Sequence, residues 1–283
     1  LLAIFEGHGL VKVDAAGKLL WDFPGRAHHD LDFLPGGDIA VLTREAHIIP
    51  RVDARRPVLE DFVSVLDPDT GEEKRRVSLL EAMERSAYRA IWDNSPKRYG
   101  DIFHTNTLRV FDGSFAEQVP AFRAGNVMTS FLWLDTIAVL DMETETLVWA
   151  KQGDFKRQHD PKQLPGGNVL VFDNRGRREL SAVYEYDPLT WEVVWEFKGS
   201  AEQPFYTSTC GAAHRQPNGN TLIVESDGGR AFEVTRDKEI VWEFVNPHRA
   251  GENNEYIATL FNVDRFPAEY IAAWHKPSPA PAP

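Results

Sequence analysis

The chain has a single cysteine, Cys210, in 283 residues, which excludes an intrachain disulfide framework and a cysteine-rich zinc site. Positive charge is also scarce. Lys and Arg number 31 against 43 Asp and Glu, a formal net charge of -12. Counterion release from nucleic acid needs clustered cations, so neither nucleic acid nor an anionic membrane surface is an expected partner. No apolar run approaches the roughly 18 residues of a membrane span. There is no Gly-x-Ser-x-Gly elbow, no phosphate-binding loop and no dinucleotide fingerprint. The lone Cys210 reads as either a channel-facing thiol or an inert buried one.

What the chain does have is a repeat, and a repeat outranks local propensity in deciding the fold. One module runs from Gln158-His159-Asp160 through Leu164-Pro165-Gly166-Gly167-Asn168 and Ala182 to Asp187, closing at Val193 to Phe197. The next repeats the plan with Ala213-His214-Arg215, Gln216-Pro217-Asn218-Gly219-Asn220, Ala231 to Val234 and Ile240 to Phe244. An earlier copy begins at His28-His29-Asp30, continues through Leu34-Pro35-Gly36-Gly37-Asp38 and closes at Phe62 to Asp67, and a looser one runs from His104-Thr105-Asn106 to Trp149. A fifth is split between the N-terminal segments (1–5, 9–14 and 19–23) and Ile257 to Trp274.

Pro-Gly-Gly and Pro-Asn-Gly supply the positive backbone angles of tight hairpins, and the short segments between them are rich in β-branched and aromatic residues. One such sheet cannot bury both of its faces, so the sheets are expected to stack radially. The expected fold is therefore all-β, a β-propeller of four-stranded blades in one domain over residues 1–276, with five modules visible. Pro277 to Pro283 reads as a disordered Pro/Ala tail. The opening Leu1-Leu2-Ala3-Ile4-Phe5 reads as strand interior, so a longer natural chain is expected. One segment breaks the pattern. Apolar residues at helical spacing over Val77 to Asn94, behind a Ser78/Glu81 capping box, predict a helix near 78–93, either a wall or lid of a pocket or a packing insertion.

In a propeller the inner strand of each blade lines the channel and opens at one mouth. His28, His29, His104, His159 and His214 fall near the start of inner strands in four copies. Imidazoles converging from separate blades point to acid–base or oxyanion chemistry, whereas any one of them alone reads as a satisfied structural residue. Asp30 and Asp160 read as orienting partners or as struts between blades, and Asn106 and Asn174 carry the same two readings. Arg175, Arg177 and Arg230 follow second strands. Near a histidine-lined mouth they would hold a planar anion through paired hydrogen bonds; elsewhere they are solvated loop charges. A site of three or four histidines for a metal ion is a further geometric option.

The stretches His28-His29-Asp30 with Leu34-Pro35-Gly36, Phe103-His104-Thr105-Asn106, Gln158-His159, Val171-Phe172-Asp173-Asn174, and Asn218 to Ile223 through Gly229 to Val234 resemble the bacterial arylsulfotransferase family. This is the type that moves a sulfuryl group from one phenol to another without phosphoadenosine phosphosulfate. The resemblance implies a six-bladed propeller, no cofactor, a periplasmic or cell-envelope address, and a channel site of histidines and one arginine in which one histidine is transiently sulfurylated. Carried over position by position, it implies catalytic roles for His104, His159 and Arg177. The place of the sulfurylated histidine falls on Arg230, which stays protonated and cannot accept a sulfuryl group. Direct transfer, or His214 as nucleophile, would then replace the covalent step. His28, His29, Asn106, Asn174, Arg175, His214 and Arg230 complete the expected binding set for a small aromatic or anionic substrate. A non-catalytic ligand- or partner-binding propeller and a metal-dependent enzyme are the alternative readings.

Overall fold

The computed structural model describes residues 1–175, 180–267 and 269–270. Five antiparallel sheets follow one another along the chain as blades. The first has three strands, β1 (Leu2–Phe5), β2 (Gly9–Val13) and β3 (Leu19–Phe23). The second has β4 (Ala27–Phe33), β5 (Ile39–Ile49), β6 (Asp53–Leu66) and β7 (Glu73–Ser78). Helices α1 (Leu79–Arg85) and α2 (Arg89–Asp93) and the short β8 (Gly100–Asp101) precede the third blade, β9 (Thr105–Val110), β10 (Val127–Phe131), β11 (Thr136–Asp141) and β12 (Thr146–Gln152). The fourth is β13 (His159–Gln163), β14 (Val169–Asp173), β15 (Ala182–Tyr186) and β16 (Val193–Lys198), and the fifth is β17 (Ala212–Arg215), β18 (Thr221–Glu225), β19 (Arg230–Val234) and β20 (Ile240–Val245).

The turns explain why these segments become hairpins. In each Pro-Gly-Gly or Pro-Asn-Gly turn the last glycine has φ near +90°, as at Gly37, Gly167 and Gly219, and the flanking residues close the loop, with Leu34 N bonded to Asp38 O at 2.9 Å and Leu164 N to Asn168 O at 2.8 Å. Apolar residues alternate to both faces and fill four cores between neighbouring blades. Leu10, Trp21 and Val41 pack between the first and second; Leu42, Leu79, Phe103 and Leu140 between the second and third. Phe122, Val139 and Val171 fill the next junction, and Phe172, Phe205 and Phe232 the last.

Two expectations are corrected. The N-terminal segments form a sheet by themselves, and among the described residues of the stretch Ile257 to Trp274 only Ile257, with Tyr256 in β22 (Tyr256–Ile257), pairs, against β21 (Arg249–Ala250). The described residues thus make five blades, not the six implied by the resemblance. The predicted helix breaks in two at Ser86, whose Oγ bonds the Met83 carbonyl at 2.8 Å. Ser78 does cap it, accepting from Glu81 N at 3.0 Å. Leu79, Leu80, Ala82 and Met83 are buried between blades and Trp92 packs edge-on against Phe103, so the insertion braces the loop before β9. The tail 277–283 lies outside the described residues.

Candidate active site

At one mouth of the channel the inner strands stop being regular. His29, His104, Asp160 and Cys210 all have φ near +50°, a conformation that costs an ordinary side chain about 1–2 kcal/mol. The β4–β5 ladder shifts register between Ala27 and Leu31, and the β13–β14 ladder between His159 and Lys162. Such bulges re-aim side chains. Here they turn His29 and His159 toward a cavity of about 450 Å³ also lined by Asp30, Asn106, Arg109, Asp160 and Cys210. At Gly211, with φ +102°, a Cβ would lie 2.4 Å from the Phe172 ring; glycine lets the chain entering β17 pass this close to the core of the fourth blade while it lines the cavity.

The histidines gather around this mouth. The His28 and His29 rings meet edge-on with Nδ1 atoms 2.8 Å apart, and the His29 and His104 rings lie 5.2 Å apart between centroids. His104 is held by Asp101, whose carboxylate accepts from its backbone N at 2.8 Å and bonds its Nδ1 at 2.5 Å. β8, which pairs in parallel with the extended β6, puts Asp101 in place. A carboxylate on Nδ1 fixes that nitrogen as the donor and stabilises positive charge arising on the ring. His159 has a different partner. Its Nδ1 lies 2.7 Å from Asn174 Oδ1 and 3.0 Å from the Arg157 carbonyl. The Asn174 amide nitrogen donates to the carbonyls of Thr207 and Cys210, so Oδ1 is an acceptor and His159 carries its proton on Nδ1, leaving Nε2 bare.

Burial sets the charge states. Desolvation lowers His159 from 6.5 to about 4. His28 falls to about 3 by the same cause, helped by the Arg44 guanidinium. His29, open to the cavity yet enclosed by protein elsewhere, falls to about 2 through desolvation and the neighbouring imidazoles. All three are neutral near pH 7. Beneath His28, desolvation raises the buried Asp61 carboxyl to about 6, and its Oδ2 accepts from Thr105 N and Oγ1 at 3.0 and 2.6 Å.

Of the residues singled out in the sequence, His28, His29, His104, His159, Asn106 and Asn174 are brought together. Asn106 is a strut as well as a lining residue, since its Nδ2 donates to the Gln158 carbonyl at 2.9 Å. His214 sits further along the channel, between Lys162 Nζ at 2.9 Å and Asn262 Oδ1 at 2.6 Å. Arg230 does not line the cavity: it starts β19, a third strand, where it pairs with Glu225 and Glu243. Arg175 is exposed and Arg177 lies outside the described residues.

Four contributors escaped the sequence reading. Asp101 was detectable from its three-residue spacing to His104. Asp61 and Arg44 come from β6 and β5, and no local pattern links them to the mouth. Arg44 has as its ion partner only an exposed Glu6, 3.5 Å away, among the described residues. Trp133 lies beside His104 at 5.9 Å between centroids, with Lys97 and Arg157 over its ring. Among the described residues no three His, Cys, Asp or Glu are grouped so as to hold a metal ion, and no helix is long and apolar enough to cross a membrane.

Solved structures share the architecture at low identity. A protein of unknown function from Bacteroides caccae is 11% identical with a TM-score of 0.51, over 84% of this chain and 75% of that one. The Cps50 (Swd1) β-propeller domain of Myceliophteria thermophila is 13% identical with a TM-score of 0.51, over 88% and 70%. The Dos1 propeller, at 14% and 0.49, is covered over 54% of its length by 86% of this chain. The first two likenesses speak to the fold alone, and the third carries no argument. Among curated proteins none matches in sequence. The profile described as arylsulfotransferase (ASST) matches residues 6–247, most of the chain, and the chain belongs to the arylsulfotransferase family.

Proposed function

We propose that the protein transfers a sulfuryl group between small phenolic compounds in the cell envelope, at the mouth formed by His29, His104 and His159. The observation that carries this reading is the difference among the three rings. His104 alone has a carboxylate on Nδ1, which suits it to give a proton to a departing phenolate. His159 is held neutral with a bare Nε2, which suits it to accept the proton of an incoming phenol. Arg44, loosely paired and close enough for its charge to act on His28 and His29, is the guanidinium available for sulfate oxygens, in place of Arg230 with its two carboxylate partners. Lys97 and Arg157, held over the Trp133 ring beside His104, add positive charge at this edge of the mouth.

The test incubates the purified protein with a chromogenic aryl sulfate and a second phenol. Release of the coloured phenol with matching appearance of the new aryl sulfate is expected. No turnover across a series of donors, beside an active family member assayed in parallel, overturns the reading.

A further inference from the structure

The least explained feature of the mouth is the pair beneath it. His28 is almost fully buried and its Nε2 has no hydrogen-bond partner, although leaving a buried polar atom unpaired costs about 1–3 kcal/mol. The nearest carboxylate oxygen is Asp61 Oδ1, at 3.6 Å, longer than a hydrogen bond but short enough to close into one when charge develops. The Asp61 side chain is itself 2% exposed. On the other side, His28 Nδ1 meets His29 Nδ1 at 2.8 Å, so one of these two nitrogens donates and the other accepts.

With Asp61 ionised, one assignment avoids opposed lone pairs. If His28 donated from Nδ1, its neutral ring would present a bare Nε2 to the Asp61 carboxylate, setting two lone pairs against each other in a buried site. With the proton on Nε2, His28 faces Asp61 as a donor and accepts at Nδ1. His29 must then donate from Nδ1, which leaves its Nε2 bare on a ring that lines the cavity. We infer that Asp61 and His28 form a buried relay that fixes this tautomer of His29, and that His29 Nε2 is the atom that takes the sulfuryl group. The inference rests on the sulfuryl-transfer reading above and names its nucleophile.

The step balances. The Nε2 lone pair forms the N–S bond as the S–O bond to the aryl oxygen breaks, and the departing phenolate takes a proton from His104. The positive charge on the sulfurylated ring is relieved when its Nδ1 proton passes to His28 Nδ1, and the resulting imidazolium stands against Asp61. Burial raises the Asp61 carboxyl to about 6, near enough to neutrality to share the His28 Nε2 proton. The reverse proton movement restores His29 as the second phenol, deprotonated by His159, attacks sulfur, and the proton gained by His159 returns through solvent to His104, which recharges it for the next donor. His29 is the catalytic residue; His28 and Asp61 are positioning residues.

Two measurements decide it. Nitrogen-resolved NMR of the imidazoles in the resting protein is expected to show His29 protonated on Nδ1 and His28 on Nε2; the opposite pair of tautomers overturns the relay. Rapid quenching with an aryl sulfate and no acceptor, followed by peptide mapping, is expected to place one sulfuryl group on His29. An adduct on His104 or His159, or phenol transfer with no adduct, overturns the inference while leaving sulfuryl transfer intact; absence of phenol release from every donor overturns both. His28→Gln is expected to slow adduct formation by on the order of 10²-fold with the donor KM unchanged, and to mix the two His29 tautomers. A slower reaction with the His29 tautomer unchanged overturns the positioning role.

Discussion

Two clusters occupy the same channel and are built by the same inner strands, yet they are finished differently. Below the mouth, Arg109 bridges Asp30 and Asp160, Lys162 Nζ lies 2.7 Å from Asp160 and 2.9 Å from His214, and His214 passes the chain of bonds on to Asn262. Asp30 and Asp160 also accept the backbone N–H groups of Leu108 and Ala213 on the next blades. Every charge there has a counter-charge, and the second to fifth blades are each tied to the next. At the mouth, His28 Nε2 has no partner, His29 and His159 keep bare nitrogens by the hydrogen-bond logic above, and Arg44 is only loosely paired. A network that is fully satisfied rigidifies; one with open valences is available to a ligand. The contrast sets a lower cluster that ties blades together, although Asp30, Arg109 and Asp160 also line the cavity, against a mouth that keeps unpaired groups and on which the proposed chemistry rests.

The contrast breaks most sharply at His104. His104→Ala is expected to cut kcat by on the order of 10²–10⁴-fold, most for aryl sulfates whose phenols are poor leaving groups and least for nitrophenyl-type donors that need no proton. Steady-state rates across a donor series check this; an equal loss for all donors removes the acid role. Asp101→Asn should give a smaller loss of the same pattern, because it changes the charge behind Nδ1 and not the ring itself.

The lower cluster should respond the opposite way. Asp160→Ala removes the carboxylate partner of Lys162, one of the two partners of Arg109, and the acceptor for Ala213 N, leaving the buried Lys162 ammonium uncompensated, which typically costs about 3–5 kcal/mol. Urea unfolding is expected to show that loss while the folded fraction keeps its donor KM. A variant with unchanged stability and a raised KM would move Asp160 from the strut to the site.

Arg44→Ala comes next in size. If the guanidinium meets sulfate oxygens, its loss removes charge-assisted hydrogen bonds worth about 1.5–3 kcal/mol, read as a higher KM for the donor with little change in unfolding. The Glu6 pair is exposed and weak, so a purely structural Arg44 would leave both quantities unchanged.

How far these clusters can be read from sequence depends on which strand supplies them. The blades were legible because each is announced locally: the Pro-Gly-Gly turns at 35–37 and 165–167 have one geometry and join inner to second strand as expected. The inner-strand histidines were legible for the same reason, and His29, His104 and His159 do converge. His214 shows where repeat logic fails. It follows the same alignment, but β17 has no bulge in its pairing with β18, so its ring points toward Lys162 rather than the cavity. Arg230 was placed by resemblance, and its strand is third from the channel. Arg44 and Asp61 face each other across the β5–β6 pairing of the same blade that carries His28 and His29 on β4, and the strand register that brings them to these rings has no local sequence signal.

The smallest effect distinguishes the two clusters by their protons. His159 is neutral in the folded protein, its pKa depressed from 6.5 to about 4 by burial. Between those two values the unfolded chain therefore binds more protons than the folded one, and stability rises with pH through that window. The contribution is complete above pH 6.5 and is lost as the pH falls toward 4, with a slope of at most about 1.4 kcal/mol per pH unit for one group. His28 and His29, depressed to about 3 and about 2, and His214, also lowered by burial, add to the slope, while Asp61 and Asp173, both raised to about 6, and Asp30, also raised by burial, oppose it above their ordinary 3.8. Four depressed imidazoles outnumber three raised carboxyls, so the melting temperature should fall on acidification from pH 6.5. His159→Gln keeps a side-chain donor for Asn174 and removes the titration, so its melting temperature should vary less over the same range. A variant that retains the full slope would show that His159 is not the neutral, bare-nitrogen ring the site requires, and the division between a finished network below and an open one above would lose its clearest member.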